Sequence, residues 1–159
     1  MKRIIFIMGN PNSGKTTLAK KLVPNKNRIH LDNVCLMLGI KRPELLPAEI
    51  SDEMPDVDLT VGLSQKIHKF CLHLRCIDSI KLLFDEYLEV YKWRDSVKVV
   101  EGYAMQFILL EMEIAHRSMG YETYQVLMTD NEITIDGKEY SFDAAVSFLR
   151  HVVNPIYHS

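Results

Sequence analysis

Near the amino terminus the chain reads Gly9-Asn10-Pro11-Asn12-Ser13-Gly14-Lys15-Thr16, two glycines separated by four residues and followed by lysine and threonine. Ahead of it lies the apolar run Ile4-Ile5-Phe6-Ile7-Met8, short enough for a buried strand. Behind it, Thr17 to Val23 has helical spacing until Pro24 stops it. Strand, glycine loop and helix thus come in the order that a phosphate cradle requires.

The chemistry gives each position a role. Gly9 and Gly14 allow turns closed to residues with a Cβ, so successive N–H groups point inward where the positive end of the helix dipole also lies. Lys15 is expected to reach the β and γ phosphates, and Thr16 to offer its hydroxyl to Mg²⁺. Asn12, Ser13 and Thr17 complete the expected binding set for ATP with Gly9, Gly14, Lys15 and Thr16. An ordinary glycine turn is the bland alternative, and the flanking strand and helix weigh against it.

The 159 residues, 47% hydrophobic and 25% charged, suit one domain over 1–159 that buries roughly 68–70% of its unfolded surface. A formal net charge of −2 argues against a general grip on nucleic acid. The charge is uneven: residues 1–31 hold seven Lys or Arg and no acid, whereas 44–58 hold six acids and no Lys or Arg. A basic start is what an anionic ligand favours, although a solvated helix face looks the same. Three cysteines leave one unpaired in any disulfide scheme, and a five-residue apolar run is too short for a signal peptide, so a reducing cytoplasm is expected. No run approaches membrane-spanning length. His68, Cys71, His73 and Cys76 look like metal ligands, but on a helix they would spread over roughly 200° and fail to converge on one ion. Packing is the better reading.

Further along, Arg28–Leu31 is expected to form a second strand that delivers Asp32 at its carboxyl end. Residues 36–59, broken by Pro43, Pro47 and Pro55, are expected to be a loop with at most one helical turn. Apolar residues from Leu63 to Tyr91 recur at helical steps, which predicts one helix or two ending near Trp93. Val97–Val100 reads as a third strand ending in Glu101-Gly102. A helix over 107–118 closed by Gly120, a fourth strand over 123–128, and a hairpin of 133–135 and 138–140 around Asp136-Gly137 follow. A last helix, capped by Ser141, runs to about Val153. Strands alternating with helices predict an α/β fold of three layers around a mostly parallel sheet. Ligands of such sheets sit beyond the carboxyl ends of the strands, where the glycine loop, Asp32 and Glu101 all fall. Asp32 has a helix-capping alternative at about even odds. Glu101 closes a valine-rich strand, where an unpaired carboxylate is costly to bury unless it serves a cation or its hydration shell.

On these residues, the Gly9–Thr16 loop, Asp32 followed by Asn33-Val34, and the third strand ending in Glu101-Gly102, the chain resembles the small P-loop kinases of the nucleoside and nucleotide kinase superfamily. It looks most like the branch with gluconate kinase, adenylylsulfate kinase, the polynucleotide kinase domain and zeta-toxin-like proteins. The likeness covers the first 40 residues and 97–128 well and the rest poorly. It implies a P-loop NTPase fold with strand order 2-3-1-4 and the hairpin at the far edge. It implies Asp32 as the base for the acceptor hydroxyl, Lys15 as the second catalytic residue, and Thr16 with Glu101 on the Mg²⁺ side. The activity implied is transfer of the γ-phosphoryl group of ATP to a small anionic or nucleotide-like acceptor. Neither membrane attachment nor general nucleic-acid binding is expected, and a homodimer stays open.

Two departures stand out. The branch carries an arginine just after the aspartate, where this chain has Val34-Cys35-Leu36, which argues against adenylylsulfate kinase itself. It also carries an arginine-bearing lid after the fourth strand, and 129–140 has no arginine. Either Arg117, Arg150 or Lys138 supplies that charge, or turnover is slow. Lys41, Arg42, Arg75 and Arg94 are candidates to hold an anionic acceptor, with Tyr103 and Gln106 near it. GTPase and transporter signatures are absent, so the remaining alternative is a nucleotide-binding regulatory or toxin-like module.

Overall fold

The computed structural model describes residues 2–10, 13–42, 80–94, 96–130 and 132–154. The chain is α/β. Its sheet has six strands: β1 (Lys2–Gly9), β2 (Arg28–His30), β3 (Val99–Glu101), β4 (Tyr121–Met128), β5 (Ile133–Ile135) and β6 (Lys138–Tyr140). Their spatial order is β2-β3-β1-β4-β5-β6. The first four run parallel, and β5 and β6 join antiparallel. The turn of the β5–β6 hairpin takes two residues, Asp136 and Gly137, both at positive φ, the conformation that matches strand twist in a tight hairpin.

Five helices are described: α1 (Lys15–Leu22), α2 (Leu31–Lys41), α3 (Ile80–Lys92), α4 (Met105–Ser118) and α5 (Phe142–Val153). β1 is apolar without alternation because both faces of the sheet are covered. Ile4 and Phe6 pack with Ile29 and Val100 against α2, α3 and α4. Ile5 and Ile7 pack with Val99 and Val126 against α1 and α5. The amino end of α5 is capped as the sequence suggests, Ser141 Oγ accepting from Ala144 N at 3.2 Å.

The stretch after β2 differs from expectation: Leu31 opens α2 instead of ending the strand, and the helix continues to Lys41, beyond the single turn allowed for from Leu36. Leu31, Val34, Cys35 and Leu38 have helical spacing and are all buried against the core. The nearby prolines at 43, 47 and 55 outweighed that short apolar pattern. Those prolines, the 63–79 part of the expected long helix, and the His68, Cys71, His73, Cys76 set lie outside the described residues. The third strand is also shifted: Val97 and Lys98 precede it, Glu101 is its last member, and Gly102 lies beyond it.

Candidate active site at the carboxyl edge of the sheet

The parallel register lines up the chain ends that matter. Ile7 lies beside Glu101 on β3, and His30 lies beside Glu101 from the other side. The glycine loop leaves β1 at this edge. A Cβ on Gly9 would sit 2.3 Å from the carbonyl oxygen of Met128 at the end of β4, so no larger residue fits while β4 stays where it is. Gly14 stands at the amino end of α1 with φ of 94°, a left-handed conformation that favours glycine. Ser13 N and Lys15 Nζ both donate to the Asn10 carbonyl, at 3.2 and 2.6 Å. Lys15 is 7% exposed. Burial pulls its ammonium below the ordinary lysine pKa, and the negative charges of Asp32 and Glu101 offset part of that. Thr17 is exposed on the first turn of α1. Asn12 lies outside the described residues.

Glu101 is wholly buried, and two donors and an imidazole converge on its Oε1. Thr16 Oγ1 donates at 3.0 Å and Arg28 Nη1 at 3.2 Å. His30 Nδ1 approaches to 2.7 Å, close enough for strong electrostatic contact although it makes no well-aligned hydrogen bond. Burial alone would raise the carboxyl pKa. His30, Thr16 and Arg28 outweigh it, so Glu101 is held below the usual carboxylate value and carries its charge. Its second oxygen, Oε2, is buried without any donor. An orphaned buried carboxylate oxygen beside a threonine hydroxyl at a loop–helix junction suits a hydrated cation. Among the described residues no group of three His, Cys, Asp or Glu could hold a metal alone. Thr16 and Glu101 are the residues that could stand beside a hydrated Mg²⁺, an ion bound through one or two protein groups together with phosphates.

Asp32 lies in the first turn of α2 without capping that helix. Its carboxylate instead accepts from Tyr103 N at 3.2 Å and Ala104 N at 3.0 Å, at the amino end of α4. No side chain of α4's own segment caps that end. Asp32 is thus a cap, but for a helix remote in sequence, and it still sits near enough to Lys15 for their charges to interact.

Arg28 and His30 escaped the sequence reading. The signal was there: in Arg28-Ile29-His30 two polar residues flank one apolar residue, which on a strand puts both on one face. The candidate anion holders are placed less favourably. Lys41 pairs with Glu86, and Arg94 donates to the carbonyls of Asn25 and Arg28. Arg75 lies outside the described residues. Gln106 lines a cavity of about 100 Å³ with Gly9, Asn10 and Met128. Of the groups expected to replace the lid arginine, Arg117 contacts Glu113 and Thr123 at the far end of α4. Arg150 donates to Lys21 O near the last turn of α1, roughly 10 Å from the loop along the helix axis. Both arginines stand at the opposite edge of the sheet from Gly9–Thr16. Lys138 begins β6, its ammonium over the Tyr140 ring.

No family model matches the chain, and no curated protein or solved structure matches it. Among the described residues no helix is long and apolar enough to cross a membrane.

Proposed function

We propose that this chain is an ATP-dependent phosphotransferase of the P-loop kinase type, acting on a small anionic or nucleotide-like acceptor. The observation that carries the reading is the 3.0 Å hydrogen bond from Thr16 Oγ1 to Glu101 Oε1, which joins the glycine loop to the strand-end carboxylate. A strand order in which β3 lies between β2 and β1 supports the same reading, because it brings the Asp32 end and the loop to one edge. Gly9, Asn12, Ser13, Gly14, Lys15, Thr16 and Thr17 would hold the triphosphate. Mg²⁺, held on Thr16 with Glu101, would neutralise charge on the phosphate oxygens. Lys15 would add a fixed positive charge beside the transferred group. Asp32 would accept the proton of the attacking hydroxyl, each carboxylate oxygen keeping a lone pair free beyond its backbone hydrogen bond.

A second reading has its own support. Asp32 is engaged as the cap of α4, and neither Arg117 nor Arg150 stands at the loop edge, as a nucleotide-binding regulatory or toxin-like module without metabolite kinase activity would allow. An ATP-consumption screen over nucleosides, nucleotides and sugar acids separates the two. ADP formation with one acceptor class supports the kinase. Nucleotide-dependent stabilisation with no turnover on any acceptor supports the module.

A further inference from the structure

Arg28 and His30 are not part of the phosphate cradle, yet they converge on its most buried charge. Arg28 is 12% exposed in its side chain and Glu101 is 0%, so their attraction is weakly screened. Arg28 is itself aimed by Asn25, whose Oδ1 accepts from Nη2 at 2.6 Å. The Arg28 and Asn25 carbonyls are in turn clamped by the Arg94 guanidinium. The guanidinium is therefore held by Glu101 on one side and Asn25 on the other, with Arg94 bracing the backbone beneath. Counting Glu101 itself, the fixed charges here are Arg28 and Lys15 against Asp32 and Glu101, two positive and two negative, with the His30 imidazole in contact. A free dication would meet no net attraction there.

We propose that Arg28 and His30 are positioning residues for Glu101: both occupy Oε1, the Arg28 guanidinium balances its charge, and together they keep free divalent cations off a carboxylate that accepts one only together with nucleotide phosphates. This rests on the reading of Glu101 as the metal-side carboxylate. The committed oxygen is Oε1, with two donors and the His30 contact, which leaves Oε2 as the one able to receive a water of the incoming ion. Arg28 and His30 also line a cavity of about 290 Å³ with Asn33, Met37 and Val90.

The test is Mn²⁺ binding to the full chain without nucleotide, read from the loss of the free-ion paramagnetic resonance signal, for the wild type, Arg28→Met, Arg28→Lys and His30→Asn. The wild type is expected to bind Mn²⁺ more weakly than about 1 mM, the low end of protein cation sites. Arg28→Met should bind about tenfold tighter or more, because an unbalanced buried carboxylate now faces the ion. Arg28→Lys should remain close to wild type, which a purely packing role would not predict. His30→Asn should shift in the same direction as Arg28→Met by a smaller factor, and it carries the test should Arg28→Met fail to fold. Equal Mn²⁺ affinity in all four proteins, or tight uptake by the wild type, overturns the proposal. Thermal stabilisation of the wild type by Mg²⁺-ATP is measured in parallel. Its absence would defeat the phosphotransferase reading while leaving the comparison of variants without nucleotide interpretable.

Discussion

The Asp32 carboxylate accepts the backbone N–H of Ala104 at 3.0 Å, tying the first turn of α2 to the amino end of α4. One side chain thus serves a helix end and, on the proposed function, the acceptor's proton. The two roles respond differently to substitution. Asp32→Asn keeps one acceptor oxygen but turns an amide donor toward Tyr103 N or Ala104 N, so a loss of about 1–3 kcal/mol in stability is expected. Turnover should fall by about 10²- to 10⁴-fold with nucleotide affinity nearly unchanged. Urea unfolding and acceptor-dependent ADP release measure the two effects separately. Wild-type turnover in this variant would leave Asp32 with the cap alone.

Lys15→Ala should abolish most of the stabilisation by nucleotide. A ligand at about 100 times its dissociation constant adds about 2.7 kcal/mol to stability, readable as a shift in Tm with Mg²⁺-ATP. The variant should fold, since its removal takes away a buried ammonium whose charge is disfavoured by burial. An equal Tm shift in wild type and variant would remove Lys15 from the binding site.

Gly9→Ala attacks the loop through sterics. Its Cβ would meet the Met128 carbonyl at 2.3 Å, and backbone on both sides must move. A stability loss of about 1–3 kcal/mol, the range for overpacking, is expected together with loss of the nucleotide-dependent Tm shift. A well-folded variant with normal nucleotide binding would show that β4 and the loop separate easily.

His116 makes acid stability measurable. It is wholly buried, with Tyr87 Oη 2.8 Å from its Nε2 and the rings of Phe6, Tyr91 and Tyr121 around it. Burial pushes its pKa down to about 4 from an ordinary 6.5. The unfolded chain therefore binds more protons between these values, and stability rises with pH across that window. The contribution is fully present above pH 6.5 and lost as pH falls toward 4, on the order of 3 kcal/mol in total. His116→Gln should flatten the dependence of the urea midpoint over this range. An unchanged slope would assign the acid sensitivity to other groups.

Much of the α/β architecture was readable from local signals. The unbroken apolar run at Ile4–Ile7 announces a strand covered on both faces, Asp136-Gly137 marks a tight hairpin, and Ser141 marks a helix start, because each depends on residues close in sequence. The glycine loop is legible for the same reason, its geometry being written in consecutive backbone conformations. α2 is not legible in the same way, because four apolar residues at helical spacing, Leu31, Val34, Cys35 and Leu38, are a short signal beside three prolines, and it is their burial against distant strands that decides the helix.

By itself the sequence determined the strand, glycine loop and helix, and put Asp32 and Glu101 near strand ends. Only the tertiary structure decided what those carboxylates touch. Glu101 meets Arg28, His30 and Thr16 because parallel pairing of β1, β2 and β3 sets three chain segments in register, and Asp32 meets Ala104 because α2 and α4 start at the same edge. Such contacts join residues up to 85 positions apart. Their energies depend on burial and on the charge of neighbours that share no sequence pattern, so they arise only when the sheet is assembled.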